Sequence, residues 1–151
     1  MEIDPRGPRF GALITTVVVT VVLITSNVWL LAAQALVFAT ATVFGLRNAP
    51  YGLIYRIAIR PRLGPPRELE AEAPPRFAQG VGLVFAIIAI IGYAAGVKPL
   101  GIAAAGLALI AAFLNGVFGY CLGCEMYLII RRIWPGRQSL VPAEANKEGS
   151  I

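Results

Sequence analysis

The stretch that decides the fold runs from Phe10 to Leu46, FGALITTVVVTVVLITSNVWLLAAQALVFATATVFGL, 37 residues without a single charge. As one helix it would extend about 56 Å at ~1.5 Å per residue, nearly twice the ~30 Å hydrocarbon core of a bilayer. The stretch therefore folds back on itself. Its most polar dipeptide, Ser26-Asn27, stands near the middle, and Asn tolerates the left-handed backbone of a turn or helix boundary. The reading is two short spans, residues 10–26 and 28–46, each at the lower limit of spanning length.

A cleaved signal peptide competes for the first span, because Arg6 and Arg9 precede it and Ala33-Gln34-Ala35 resembles a cleavage site. Its apolar region exceeds the roughly 7 to 15 residues of such a peptide and runs straight into further apolar sequence, so retention is the better reading. Outward along the chain, 21 uncharged residues separate Arg76 from Lys98 and 26 separate Lys98 from Glu125. With the Gly96-Val97-Lys98-Pro99 turn between them, these predict a second pair of spans, 78–96 and 100–124.

Composition agrees. Of the 151 residues 58% are hydrophobic and 14% charged, with a mean hydropathy of +0.74, whereas a soluble domain carries about 25% charged residues. The formal net charge of +5 is an orientation signal and not a nucleic-acid footprint. Twelve of the thirteen basic residues precede the first span, lie from Arg47 to Arg76, or follow Glu125, so the positive-inside rule puts both termini in the cytoplasm. Trp29 and Tyr93 near the outer turns, and Tyr120, Tyr127 and Trp134 toward the inner face, fit interfacial aromatic belts.

The expected fold is an all-α integral membrane protein: four transmembrane helices as two hairpins over residues 1–134, with a flexible cytoplasmic tail at 135–151. Within the cytoplasmic loop 47–77, Leu53, Ile54 and Ile57 fall together at helical spacing, with Arg56 and Arg60 four apart, which predicts a basic interfacial helix. Arg56, Arg60, Arg62, Arg131 and Arg132 are the candidate contacts to anionic lipid or a partner. From Pro61 to Pro75 five prolines surround Glu68, Glu70 and Glu72, read as a stiff solvated linker or as a lid meeting a partner's basic patch.

Ala104, Ala108, Ala112 and Gly116 recur every four residues, the small-residue face on which helices pack closely in lipid. Gln34 and Asn115 are amides at membrane depth that need hydrogen-bond partners, either as interhelical glue or as the lining of a cavity.

The chain has no histidine, which removes the usual proton shuttle and the commonest metal ligand. Chemistry falls on Cys121-Leu122-Gly123-Cys124 and the adjoining Glu125. Two thiols at this spacing close a small disulfide, or hold and resolve a persulfide or mixed disulfide. A structural pair, or zinc shared between two subunits, are the other readings. No cofactor or metal is expected from one chain. If Gly116, Gly119 or Gly123 breaks the span, a new helix begins near Cys121 and its N-terminus favours a thiolate. If the helix is continuous, its dipole opposes one, and both thiols point away from the small-residue face. Glu125 is either a general base or a salt-bridge partner for arginine.

The sequence also resembles the DUF4395 family of bacterial four-span membrane proteins. The resemblance rests on Asp4-Pro5-Arg6, Arg9-Phe10, Gln34, Pro50-Tyr51-Gly52, the block Arg60-Pro61-Arg62-Leu63-Gly64-Pro65-Pro66, Pro74-Pro75-Arg76-Phe77-Ala78-Gln79, and Ala111-Ala112-Phe113-Leu114-Asn115 leading to Gly119-Tyr120-Cys121-Leu122-Gly123-Cys124-Glu125. It implies thiol or sulfane-sulfur chemistry at Cys121 and Cys124, beside thioredoxin-like or sulfurtransferase companions.

The expectation is thus a bacterial inner-membrane protein passing electrons or sulfane sulfur to a cytosolic thioredoxin-like or rhodanese-like partner. Cys121 and Cys124 exchange, and Glu125 takes the proton. A transport or channel component for a small sulfur compound, built as a homo-oligomer, and a structural subunit without catalysis are the alternatives. Whether the chain is an enzyme stays open.

Overall fold

The computed structural model describes residues 2–133; the expected tail at 135–151, and Trp134, lie outside them. The described chain is helical but for one short pairing. β1 (Glu2–Ile3) pairs antiparallel with β2 (Glu70–Ala71), Glu2 opposite Ala71 and Ile3 opposite Glu70.

The apolar stretch divides where its polar dipeptide stands. α1 (Arg6–Thr25) stops at Ser26, which adopts φ 53° and returns its amide to the Val22 carbonyl at 2.7 Å. Asn27 then caps α2 (Val28–Phe44): its Oδ1 accepts from the Trp29 and Leu30 amides at 3.0 and 3.2 Å, satisfying two of the donors a helix start leaves open. α5 (Ala73–Ala94) and α6 (Lys98–Phe113) are separated by Gly96 at φ +80°, with Pro99 in the first turn of α6, where a missing amide hydrogen does no harm. Between the two pairs lies a helical stretch of α3 (Pro50–Ile54), a π segment (Tyr55–Ile59) and α4 (Arg60–Leu63).

α5 packs on α2 and α6, and α1 packs on α6 and α2. The core is Val19, Val22, Leu31, Ala35, Phe38, Ala86, Ala89, Ala104 and Ala105, small enough to let the helices approach closely. At Gly92 a Cβ would lie 2.5 Å from the Gly101 backbone nitrogen, and at Gly116 it would lie 2.9 Å from Leu13. Larger residues would part these helices.

Helices Arg6–Thr25, Ala73–Ala94 and Lys98–Phe118 are long and apolar enough to cross a membrane, and Val28–Phe44 is a shorter apolar helix. Their outward faces carry Val17, Leu36, Val43, Val84, Ile91 and Ile102, all largely exposed.

Four sequence expectations change. The fourth span does not run from 100 to 124: α6 passes into a π segment (Leu114–Phe118) and ends at Gly119, φ +70°, where the Tyr120 amide reaches back to the Leu114 carbonyl. A separate helix, α7 (Leu122–Ile133), follows. Second, the proline-rich segment is not a free linker, because Glu72 is buried and its Oε1 accepts from the Leu46 amide at 3.0 Å. Arg76, next along, donates to the Thr42 and Val43 carbonyls at 2.6 and 2.7 Å, a cation at the C-terminal end of α2 where the helix dipole favours one. Third, Tyr93 turns inward over Gly101 and its hydroxyl is buried without a hydrogen-bond partner among the described residues, instead of facing a headgroup layer. Fourth, the two polar amides part ways. Gln34 ties α1 to the loop helix, donating to Thr15 Oγ1 at 3.1 Å and accepting from the Tyr51 hydroxyl at 2.6 Å, whereas Asn115 has no hydrogen-bond partner for its side chain among the described residues.

Candidate functional site

The break at Gly119 places the cysteines. Cys121 immediately precedes α7 and caps it: its carbonyl accepts from the Glu125 amide at 3.1 Å and its sulfur from the Cys124 amide at 3.2 Å. Sulfur here occupies the position usually held by a Ser or Thr oxygen. A reduced Cys121 thus meets the positive end of α7, which stabilises negative charge on sulfur. Of the two arrangements open in the sequence, the structure has the broken helix. With the helix broken at Gly119, the small-residue face of α6 no longer sets the direction of either thiol.

The two sulfurs stand at disulfide-bonding distance, with Cα atoms 5.1 Å apart. Gly123, between them, is buried against α5: a Cβ there would lie 2.5 Å from the Ala78 Cβ. Only glycine lets the first turn of α7 rest directly on α5. Phe77 and Tyr127 close the same contact one turn on, ring centroids 5.6 Å apart.

Cys121, Cys124 and Glu125 line one cleft of about 700 Å³. Its far walls come from the N-terminal segment at Pro5 and Arg9, from Glu70 and Pro74, and from Gln79 and Asn115. Arg9 was missed by the sequence reading, which used it only for orientation. Its Nη2 donates to the Val117 carbonyl at 3.4 Å, and its guanidinium lies 3.5 Å from where a Gly119 Cβ would be. One cation thus neutralises the carbonyl end of α6 and joins the cleft that holds the thiols. The one available signal was its place in the Arg9-Phe10 pair ahead of the first apolar run.

The candidate arginines are elsewhere. Arg56 and Arg60 line a second cavity of about 250 Å³ with Asp4, Tyr51 and Tyr55. Arg62 is exposed on α4. Arg131 and Arg132 are exposed in the last turn of α7, Arg131 with its guanidinium 5.6 Å from the Tyr127 ring centre. None of the five lines the cysteine cleft.

Around the second cavity, burial works against the Asp4 carboxylate, but hydrogen bonds from the Arg6 side chain and backbone and from the Tyr55 hydroxyl outweigh it and hold its pKa below the usual value. Burial first, then the hydrogen bond to Asp4 and after it the Asp4 charge, push the Tyr55 phenol up, and burial does the same to Tyr51. Among the described residues no three Cys, Asp or Glu side chains gather as a metal cluster.

Comparison with known proteins matches residues 3–132 to one family model, a domain of unknown function, DUF4395. The chain belongs to the DUF4395 family. That match covers every helix described except the last residue of α7, so the CxxC cleft lies wholly within the DUF4395 domain. No curated protein and no solved structure gives a match.

Proposed function

We propose that this protein is a membrane-embedded thiol relay of the bacterial inner membrane, exchanging disulfide or sulfane sulfur with a cytosolic thioredoxin-like or rhodanese-like partner through Cys121 and Cys124. The observation that carries the reading is the CxxC at the start of α7, with Cys121 as the capping residue and an open cleft before it. A buried structural cysteine pair needs neither feature.

A membrane setting is supported by the apolar helices and their exposed outer faces. Cytoplasmic placement of the cleft is supported by its walls: N-terminal segment, arginine-bearing loop and α7 meet at one end of the bundle, and that end carries most of the positive charge. A reducing compartment favours turnover of the pair over a permanent disulfide.

The exchange runs in two displacements. The Cys121 thiolate attacks one sulfur of the partner's disulfide, that S–S bond breaks, and the partner's other sulfur leaves as thiolate. Cys124 then attacks the Cys121 sulfur, closing the intramolecular disulfide and releasing the partner as a dithiol. Glu125, on the same cleft, takes the Cys124 proton and passes it to the leaving sulfur. With a persulfide donor the first attack falls on the terminal sulfur, and Cys124 then releases it as hydrosulfide.

Trapping tests the assignment. Cys124→Ser should hold a mixed disulfide with an added thioredoxin, seen on a non-reducing gel, and Cys121→Ser should hold none. If neither variant traps the partner and wild type exchanges neither disulfide nor sulfane sulfur, the pair is structural.

A further inference from the structure

Behind the cysteines lies a second space with a different character. An inner cavity of about 230 Å³, no more enclosed than the cleft, lies between α1, α2, α5, α6 and the start of α7, and Cys121 lines both it and the cleft, whereas Cys124 lines the cleft alone. At ~30 Å³ per water it has the liquid volume of about eight waters, room for a single substituted six-membered ring. Its walls are Phe38, Phe85 and a row of alanines, and no charged residue among the described ones lines it.

Its polar groups are few and placed together. Gln79 and Asn115 line both spaces beside Cys121, and neither side-chain amide has a hydrogen-bond partner among the described residues. Both residues are half-buried, so their amide hydrogens are open to whatever occupies these spaces.

These features select the ligand. An anion such as hydrosulfide or thiosulfate would enter an uncharged apolar space with no cation to meet it. An acyl chain offers no acceptor to the amides. A neutral planar ring with carbonyl oxygens satisfies both requirements, and a thiol pair at its edge needs a two-electron partner.

We propose that this inner cavity binds the ring of a membrane quinone, which takes electrons from the reduced Cys121–Cys124 pair. The inference rests on the thiol-relay reading and adds its membrane-side partner. Two S–H bonds break, the Cys121–Cys124 bond forms, and two electrons and two protons pass to the quinone carbonyls, giving the quinol. Gln79 and Asn115 donate to those carbonyl oxygens. For turnover the cleft exchange runs in reverse: one thiolate of a reduced thioredoxin-like partner attacks the Cys121–Cys124 disulfide, its second thiol displaces the first, and the partner leaves as its own disulfide with both thiols of the pair restored. The cleft thus serves the soluble electron donor and the inner cavity the lipid-soluble acceptor, with Cys121 between them.

The test uses purified full-length protein in lipid nanodiscs without oxygen, with a fully substituted short-chain ubiquinone as probe. Reduced wild type should form one quinol per intramolecular disulfide, at a rate that saturates with quinone. The Cys121→Ser/Cys124→Ser protein should still bind quinone saturably and reduce none. Gln79→Leu and Asn115→Leu should each weaken quinone binding at least tenfold. Ala111→Leu fills the inner cavity without touching the cleft, and should abolish quinone reduction while exchange with thioredoxin proceeds at the wild-type rate. Absence of saturable binding in wild type, or unchanged affinity in both amide variants, overturns the quinone site, and if thioredoxin exchange persists the relay stands without it. Saturable quinone binding with no thiol exchange at either partner overturns both the electron transfer and the relay.

Discussion

The backbone amide of Cys124 points at the sulfur of Cys121 across 3.2 Å, so the residue proposed to resolve the reaction also holds the attacking atom in place. Helix start and cysteine pair are one structure. After reduction, Cys121 should alkylate with iodoacetamide faster than Cys124. A helix-terminus contribution of ~0.3–1 kcal/mol corresponds to a factor of about two to five. Peptide mass spectrometry after a short pulse reads this directly, and equal rates would contradict the role assigned to the helix end.

The same cap has a stability consequence. Cys121→Ser preserves an acceptor for the Cys124 amide and should leave folding nearly unchanged under reducing conditions. Cys121→Ala removes it and should cost about 0.5–2 kcal/mol. Thermal unfolding of the two reduced variants, side by side, separates loss of the cap from loss of the disulfide.

Gly123 is held against Ala78 with no room for a side chain. Gly123→Val should lever α7 away from α5, destabilising the protein by about 1–3 kcal/mol and slowing thiol exchange. Gly106, which has nothing within 4 Å of a built Cβ, supplies the control: Gly106→Ala should leave both unchanged, as read by exchange kinetics and thermal unfolding.

Gln34 is 1% exposed and joins Thr15 to Tyr51. Gln34→Leu should destabilise by about 1–3 kcal/mol through the orphaned hydroxyl groups. Removing Tyr51 as well, with Tyr51→Phe, should then cost less than in the wild-type background, because the two share one interaction. Additive losses would show that the contact contributes nothing.

Acid sensitivity follows from Asp4. Its folded pKa lies below the unfolded value, so its contribution to stability is complete above the usual aspartate range near ~3.9 and is lost as pH falls through the lowered folded value. Asp4→Asn should flatten the fall in melting temperature below about pH 4 while lowering stability at neutral pH. A variant with an unaltered acid limb would remove Asp4 from the account.

Much of this was legible in the sequence where a residue's local chemistry suffices. Asn27 is a good capping residue in any context, and it divides the long apolar stretch accordingly. The CxxC spacing announced two cysteines close enough to bond. What was not legible depends on contacts across the fold. Gly116, Gly119 and Gly123 were equal candidates for the break, and only packing separates them: Gly116 accommodates Leu13, Gly123 accommodates Ala78, and Gly119 alone takes a positive φ. Glu72 sits in a run of glutamates and prolines that looks solvated, and the Leu46 amide that buries it is 26 residues away in sequence. Arg9 reads as a topology signal until α6 is seen to end beneath it. The β1–β2 pair is two residues long on each side, too short to leave a pattern.

The π segment at 114–118 carries one more residue per hydrogen-bonded ring than the α-helix that leads into it. Position at the cleft is therefore kept by counting as well as by chemistry. A single-codon deletion in that segment would restore an ordinary α-turn and step the end of the helix at Gly119 back by about 100° around the axis. Both cysteines would survive in the gene, while the carbonyl end that Arg9 now holds would turn away from it.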